Sequence, residues 1–261
     1  MRNEISLNFP LVPNAQGIVY AKDNDEWLMQ LMRKPTEEID AEAQKLHREI
    51  WKAYKAVVKV PAVDPVWLLN PSHAARHLGF DYVEVDDLGR FGGGGSRYEV
   101  AGSLDRPEKR ICVSTRFKPE EIRFTGAHEI GHAVLHPGAV KHRDRPILRP
   151  GFSSTMRSPI EAEADYFGAC YLLPERLLRE RLQRKFGVDG TLVFDDDVSY
   201  FLNPSDPEEL MRDDDAGLRN RAYAVARVER YGGVKSPSLA QQFGVSLSVL
   251  AIRLQELKLV A

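Results

Sequence analysis

Three histidines fall within nine residues of this sequence, in the run AHEIGHAVLH. On a helix, residues four apart share a face and lie about 6 Å apart along the axis, so the imidazoles of His128 and His132 can bind one metal ion. Glu129 is rotated by about 100° from His128, which places its carboxylate beside the ion as a general base. His136 lies about 12 Å along the axis from His128, too far for a third ligand, and we expect it to act at the helix end or to support a ligand.

The third ligand is expected from an acidic helix further along the chain, in the run SPIEAEADYFGACYLLP. Glu161 and Asp165 are four residues apart and share a face, whereas Glu163 lies about 200° round the helix from Glu161. We therefore predict that Glu161 is the metal ligand and that Asp165 accepts the outer N–H of a ligand histidine. Glu163 is the rival ligand. Gly131, inside the histidine motif, would let another helix approach closely.

Two predicted helices carry these residues. The first spans 119–136, with a proline at the favoured first position and a Pro-Gly stop after it, and the second spans about 158–173. An amphipathic helix is predicted before them, from residue 36 to the proline at 61. Between these helices, from residue 63 to residue 112, the pattern becomes strand-like, with candidate strands at 80–88, 97–102 and 109–114. The run FGGGGS at 91–96 is typical of a flexible hairpin loop, because it lacks the Lys-Ser/Thr pair of a phosphate-binding loop.

Composition excludes several classes of protein. The 261 residues are 43% hydrophobic, which is enough for one core and a small second domain and excludes a disordered tail. A net charge of -2 excludes a general binder of nucleic acids or anionic membranes. Two cysteines cannot form a disulfide framework, and the first residues lack the layout of a signal peptide. No stretch reaches the roughly 18 apolar residues of a membrane helix, so we expect a cytoplasmic protein.

Two charged segments have a structural and a functional interpretation. Residues 189–217 hold ten acidic residues against the single basic Arg212, and a solvated acidic face or loop is the favoured interpretation. Residues 137–157 link the two metal-bearing helices and are basic. This basic loop is either a solvated loop or a rim that binds an acidic segment of a partner.

The C-terminal run SLAQQFGVSLSVLAIRLQELKLV predicts two short helices around a Gly-Val-Ser turn, as in a helix-turn-helix. A helix-turn-helix has a small residue in its first helix, a glycine in the turn and a buried residue in its second helix. In this sequence Ala240, Gly244 and Leu250 lie near these positions. The second helix offers only Arg253 and the later Lys258 for phosphate or base contacts. A structural helix pair is therefore favoured over a DNA-binding module.

Taken together, RFTGAHEIGHAVLH and EAEADYFGACYLLP resemble the ImmA/IrrE family of bacterial and phage zinc metallopeptidases. That pattern runs Arg-Phe-Thr, HE-x-GH, and then a Glu-bearing helix that ends in Leu-Leu/Met-Pro. The resemblance covers roughly residues 36–261, with a gap around 186–235, and Gly126 and Gly168 depart from it. It implies His128, His132 and Glu161 as zinc ligands and Glu129 as the catalytic base.

The resemblance also implies a fold and an activity. The expected fold is α+β, with a helical zincin-like metallopeptidase core, a small and mostly antiparallel sheet, and a C-terminal helix-turn-helix-like region. The expected domains are an N-terminal extension at 1–35, a metallopeptidase domain at 36–185, and an acidic linker with the C-terminal domain at 186–261. The implied activity is a zinc-dependent endopeptidase that cleaves a helix-turn-helix transcriptional repressor in a stress-response or mobile-element system.

Several points stay open in the sequence. Manganese is an alternative to zinc, because a site of two histidines and one glutamate accepts several divalent ions. The group that stabilises the oxyanion is not identified among the candidates Tyr166, Tyr171, His136 and His142. The alternative function is a DNA-binding or partner-binding regulator in which the metal site is structural or weakly active.

Overall fold

The computed structural model describes residues 34–58, 63–91, 98–137 and 159–261, and the backbone of short strands at 12–13, 19–20 and 141–144. Most of the N-terminal extension, the glycine run and the basic loop therefore lie outside the described residues. The helices are α1 Thr36–Val57, α2 Pro65–Leu68, α3 Pro71–His77, α4 Pro119–Leu135, α5 Pro159–Leu172, α6 Glu175–Phe186, α7 Asp196–Leu202, α8 Glu208–Met211, α9 Asp215–Arg227, α10 Leu239–Phe243 and α11 Leu247–Glu256. The strands are β1 Val12–Pro13, β2 Val19–Tyr20, β3 Asp81–Val85, β4 Arg90–Phe91, β5 Tyr98–Glu99, β6 Gly102–Asp105, β7 Arg110–Ser114, β8 Lys141–Asp144, β9 Arg230–Tyr231 and β10 Val234–Lys235.

The fold is α+β, as predicted. One four-stranded sheet has the order β3-β7-β6-β8, in which β3 and β7 are parallel and the other two pairs are antiparallel. Leu104, Ile111 and Val113 are fully or almost fully buried on this sheet, where α4 packs against β6 and β7. The sheet thus forms one wall of the core and supports the helix that carries the histidine motif.

Helix α4 is the central helix of the molecule. Every residue from Phe124 to His132 is buried, which a surface helix with one apolar stripe would not show. Its main helical partner is α5. A Cβ atom added to Gly131 would lie 3.0 Å from the Ala164 carbonyl oxygen, so the absence of a side chain lets the two helices approach closely, as the sequence predicts.

The strand-like prediction was wrong for residues 65–77. These residues form the short helices α2 and α3, each with a proline in its first turn and a side-chain cap, from Asp64 and Asn70 respectively. Helices of four and seven residues are too short to show a helical period, which explains the error. The candidate strand at 97–102 is also divided, since β5 pairs with β4 and only β6 joins the sheet.

The acidic segment contains helices rather than an irregular loop. Asp195 accepts a hydrogen bond from the Val198 amide at the start of α7, and Asp214 accepts one from the Gly217 amide at the start of α9. Both aspartates are exposed. The acidic residues therefore cap helices and form a solvated face.

The C-terminal helices α10 and α11 flank the predicted turn, with Gly244 in the left-handed conformation. Arg253 is only 2% exposed, although the sequence offered it as a DNA contact. It donates hydrogen bonds to the Tyr166 hydroxyl at 3.4 Å, to Glu256 at 3.1 Å and to Asp40 at 3.3 Å. Arg253 therefore joins α11 to α1 and α5 and is not available to nucleic acid. None of the helices in the described part of the chain is both long and apolar enough to cross a membrane.

We expect Gly131→Val to lower the free energy of unfolding by about 1–3 kcal/mol, because the added side chain must displace the backbone of α5. Urea unfolding followed by circular dichroism measures this loss. Ala162→Val, which adds two methyl groups at a half-buried position of α5, is the control and should cost about 0.7 kcal/mol or less. Equal losses in the two variants would contradict the close packing at Gly131.

Candidate metal centre

The structure brings His128, His132 and Glu161 together. The two Nε2 atoms are 3.0 Å apart, and the carboxylate oxygens of Glu161 lie 3.5 Å from Nε2 of His128 and 3.6 Å from Nε2 of His132. Metal–ligand bonds of 2.0–2.1 Å in a tetrahedral site would separate neighbouring ligand atoms by about 3.3 Å. Two imidazoles and one carboxylate at these separations fit a single divalent ion such as zinc, with a fourth position left for water or substrate.

A carboxylate lies behind the first histidine. Oδ1 of Asp165 is 2.9 Å from Nδ1 of His128. If Nδ1 donates its proton to Asp165, Nε2 keeps a lone pair for the ion, which is the tautomer that a ligand histidine needs. The geometry therefore suits the role that the spacing of Glu161 and Asp165 suggested for Asp165.

The second histidine is supported by a longer chain of hydrogen bonds. Nδ1 of His132 lies 2.9 Å from Nδ1 of His136, and Nε2 of His136 lies 2.9 Å from Oε2 of Glu163. The other oxygen of Glu163 accepts the backbone N–H of Lys34 at 2.8 Å. When Nε2 of His132 binds an ion, its Nδ1 must donate to His136, and His136 must then donate from Nε2 to Glu163. Donors and acceptors can therefore alternate in only one direction along these hydrogen bonds, which fixes the orientation of the imidazoles of His132 and His136.

Glu163 does not lie with the three ligand atoms. It is 3% exposed and is held by His136 and by the Lys34 amide. The helical period correctly separates Glu163 from Glu161, but it cannot show that His136 would reach Glu163. That contact depends on how α4 crosses α5, which only the folded structure reveals.

Glu129 is fully buried on α4, between the two histidines in sequence. Strand β6 passes directly over it, because a Cβ atom added to Gly102 would lie 2.6 Å from Oε1 of Glu129. Position 102 therefore has room for the hydrogen atom of glycine but not for the Cβ atom of another residue. Gly102 thus sets how far the Glu129 carboxylate can move towards the sheet.

Arg106, in the turn between β6 and β7, is a site residue that the sequence did not indicate. One guanidinium nitrogen, Nη2, donates to the carbonyl oxygens of His132 at 2.6 Å, Ala133 at 3.0 Å and His136 at 2.9 Å. A cation at the C-terminal end of a helix satisfies free carbonyl groups and is favourable with the helix dipole. Arg106 therefore fixes the last turn of α4, where His132 and His136 stand. No sequence motif links it to that helix.

Two of the four candidate oxyanion donors, Tyr171 and His136, use their hydrogen-bonding groups elsewhere, and Tyr166 is bonded to the C-terminal helix α11. The Tyr171 hydroxyl donates to the Asn70 carbonyl oxygen at 3.4 Å, and the Tyr166 hydroxyl accepts from Arg253. His136 is bonded to His132 and Glu163. The side chain of His142, like the basic loop that carries it, lies outside the described residues.

We expect Glu161→Ala to abolish tight binding of zinc, because it removes a carboxylate that lies between the two imidazoles. Glu163→Ala should weaken zinc binding by about 10–100-fold only, since it removes the support of His136 and leaves the three ligand atoms in place. Competition with a chromogenic chelator measures both affinities. The assignment would be reversed if Glu163→Ala lost zinc and Glu161→Ala retained it.

Comparison with known proteins matches residues 84–192 to the model of the peptidase M78 family, described as the IrrE N-terminal-like domain. The radiation response metalloprotease IrrE of Deinococcus radiodurans is 34% identical over 89 residues, which cover 34% of this chain and 26% of that protein. An uncharacterised immunity region protein of Bacillus phage phi105 is 26% identical over 115 residues, which cover 43% of this chain and 70% of that protein. The chain thus matches about a quarter of the length of IrrE.

The matched segment contains the two helices α4 and α5, which carry the candidate ligands, and the sheet strands β6 and β7, which pack on α4. This agrees with the resemblance that the histidine motif and the acidic helix carry. Residues 84–192 are therefore similar to the IrrE N-terminal-like domain of the peptidase M78 family.

Proposed function

We propose that this protein is a metal-dependent endopeptidase with a zinc ion at His128, His132 and Glu161. The observation that carries the proposal is the meeting of these three ligand atoms, two of which come from the same helix as the fully buried Glu129. The family domain supports it. Manganese is the alternative ion, because the mixed nitrogen and oxygen ligands accept several divalent metals.

When bound, the ion supplies a Lewis acid that polarises a scissile carbonyl and makes water acidic enough to react near neutral pH. Glu129 accepts the proton of the attacking water on its carboxylate and delivers it to the leaving amine nitrogen. Asp165 and the chain from His136 to Glu163 hold the two ligand imidazoles in one orientation. Gly102 packs against the carboxylate of Glu129 and limits its movement towards strand β6.

We propose a protein substrate, namely a helix-turn-helix transcriptional repressor, and a regulatory role in the cytoplasm. One relative is named for the radiation response and another for a phage immunity region, which supports a stress-response or mobile-element setting. The burial of Arg253 weighs against the alternative of direct DNA binding through α11. We retain the division into a metallopeptidase domain at 36–185 and a C-terminal domain at 186–261 as part of the proposal.

We expect Glu129→Gln to keep zinc and to lower cleavage by about 10²–10⁴-fold, because the amide cannot accept the proton. His128→Ala should lose both zinc and cleavage. The assay incubates each purified protein and zinc with candidate helix-turn-helix repressors, taken first from the genes next to its own, and follows one defined cleavage product. Elemental analysis of the same samples reports the bound metal.

Full cleavage by Glu129→Gln would exclude Glu129 as the base. Cleavage that persists in His128→Ala after removal of metal by a chelator would exclude metal-dependent catalysis altogether.

We expect Gly102→Ala to lower the cleavage rate by about tenfold or more, because the new methyl group pushes the Glu129 carboxylate away from the reacting water. The added methyl group would also lie 2.6 Å from Cγ2 of Thr125, so the side chains of both Glu129 and Thr125 must move to accommodate it. Urea unfolding of the same variant measures the accompanying loss of stability. Ser103→Ala, at the next position of β6, is the matched control and should retain the rate. An unchanged rate in Gly102→Ala would show that the contact does not position Glu129.

A further inference from the structure

A large open cavity lies at the N-terminal end of α4. It has a volume of about 1210 Å³ and is lined by the N-terminal end of α4, strand β3, the start of α3, and the turn between α10 and α11. None of His128, His132, Glu129 and Glu161 lines it. The cavity is therefore formed by the family domain and the C-terminal helices together, and the proposed peptidase activity does not use it.

Arg123 lines this cavity, and it forms no ion pair with a carboxylate in the part of the chain that the structure describes. Its Nη2 donates one hydrogen bond, at 3.3 Å, to the carbonyl oxygen of Val66. Its Nε is buried and has no hydrogen-bond partner in the described part of the chain. The neutral hydroxyls of Tyr171 and Tyr82 lie near Arg123, and burial lowers the pKa of Arg123.

A guanidinium group remains protonated in proteins, so Arg123 is a cation that is largely removed from water. Burial of a cation without an anion is costly, and most such groups are paired. The tip of the C-terminal turn also packs on this side chain, since a Cβ atom added to Gly244 would lie 3.3 Å from Cδ of Arg123. An anionic group that enters the cavity can thus pair with the guanidinium group of Arg123.

The cavity wall limits the kind of anion. The lining contains three basic and three acidic side chains, which are Lys118, Arg123, Arg227, Glu84, Glu120 and Glu229. Equal numbers of the two signs produce no broad positive field, so a nucleic acid or another polyanion is not favoured. Ser246 and Ser248 supply hydroxyl groups 3.0 Å apart at the start of α11. A small molecule with one anionic group and a polar body fits this lining.

We propose that the cavity is a second binding site, for a small organic anion whose carboxylate or phosphate group pairs with Arg123. Arginine binds both groups through two parallel N–H donors, and on Arg123 the N–H groups of Nη1 and the second N–H of Nη2, which is not used by the bond to Val66, provide such a pair. A ligand held there contacts α4 and α11 at once. It therefore stabilises the contact between the family domain and the C-terminal helices.

The test measures thermal unfolding of the full chain with succinate or inorganic phosphate as the probe, against sodium chloride at equal ionic strength. We expect at least one probe to raise the melting temperature of the wild type by about 2 °C or more, with saturation. Arg123→Gln should abolish the rise, and Arg123→Lys should weaken it. Arg219→Gln, which changes an exposed arginine of α9 outside the cavity, is the matched control and should keep it. The probe with the larger effect identifies a carboxylate or a phosphate ligand.

All three variants leave the metal ligands intact, so binding of a probe at the metal centre would persist in Arg123→Gln. Such persistence overturns the proposal, as does a wild type whose melting temperature neither probe raises. If Arg123→Gln fails to fold, isothermal titration of the wild type and of Arg123→Lys decides the question. Equal affinities of these two proteins would then show that Arg123 does not bind the anion.

Discussion

The metal centre depends on the contact between two helices at a position without a side chain. His128 and His132 come from α4 and Glu161 from α5, so the ligands meet only if the two backbones pack closely. Gly131 allows this, because a Cβ atom there would lie 3.0 Å from the Ala164 carbonyl oxygen. Gly168 provides a similar contact one turn further along α5, where an added Cβ atom would lie 3.4 Å from the backbone nitrogen of His128. The distance between the two histidines of α4 and Glu161 of α5 is thus set by contact between backbones, which is stiffer than contact between flexible side chains.

This close packing buries polar groups, and the structure provides partners for them. Asp165 supports His128 from α5, while His136 and Glu163 support His132 across the two helices. Arg106 binds the carbonyl groups at the end of α4. These bonds hold the side chains of the candidate ligands in one orientation, and His128, His132 and Glu163 are too deeply buried for water to replace a lost partner readily. The protein itself therefore orders the side chains of this candidate metal centre.

Helical periodicity predicted much of this from sequence. The spacing of His128, Glu129 and His132 fixes their relative directions on α4, and the same rule places Glu161 and Asp165 on one face of α5. The bounds of α1, α4 and α5 follow from long periodic runs with clear proline signals. Contacts between residues that are far apart in the sequence leave no such periodic pattern. The bonds of Arg106 to α4 and of Arg253 to α1 and α5 join residues that no local pattern relates, and the short helices α2 and α3 have too few residues to show a period.

The C-terminal helices contact both α4 and α5, the two helices that carry the candidate ligands. Through Gly244 they pack on Arg123, which stands five residues before His128 on α4, or about 7.5 Å along the helix axis. Through Arg253 they bind Tyr166, which directly follows Asp165 on α5. A displacement of α10 and α11 must therefore be accommodated at both metal-bearing helices, whose packed backbones have little freedom to adjust independently. This connection gives the buried Arg253 a structural purpose that the helix-turn-helix pattern alone does not explain: it links the C-terminal region to the helices that position the ligands.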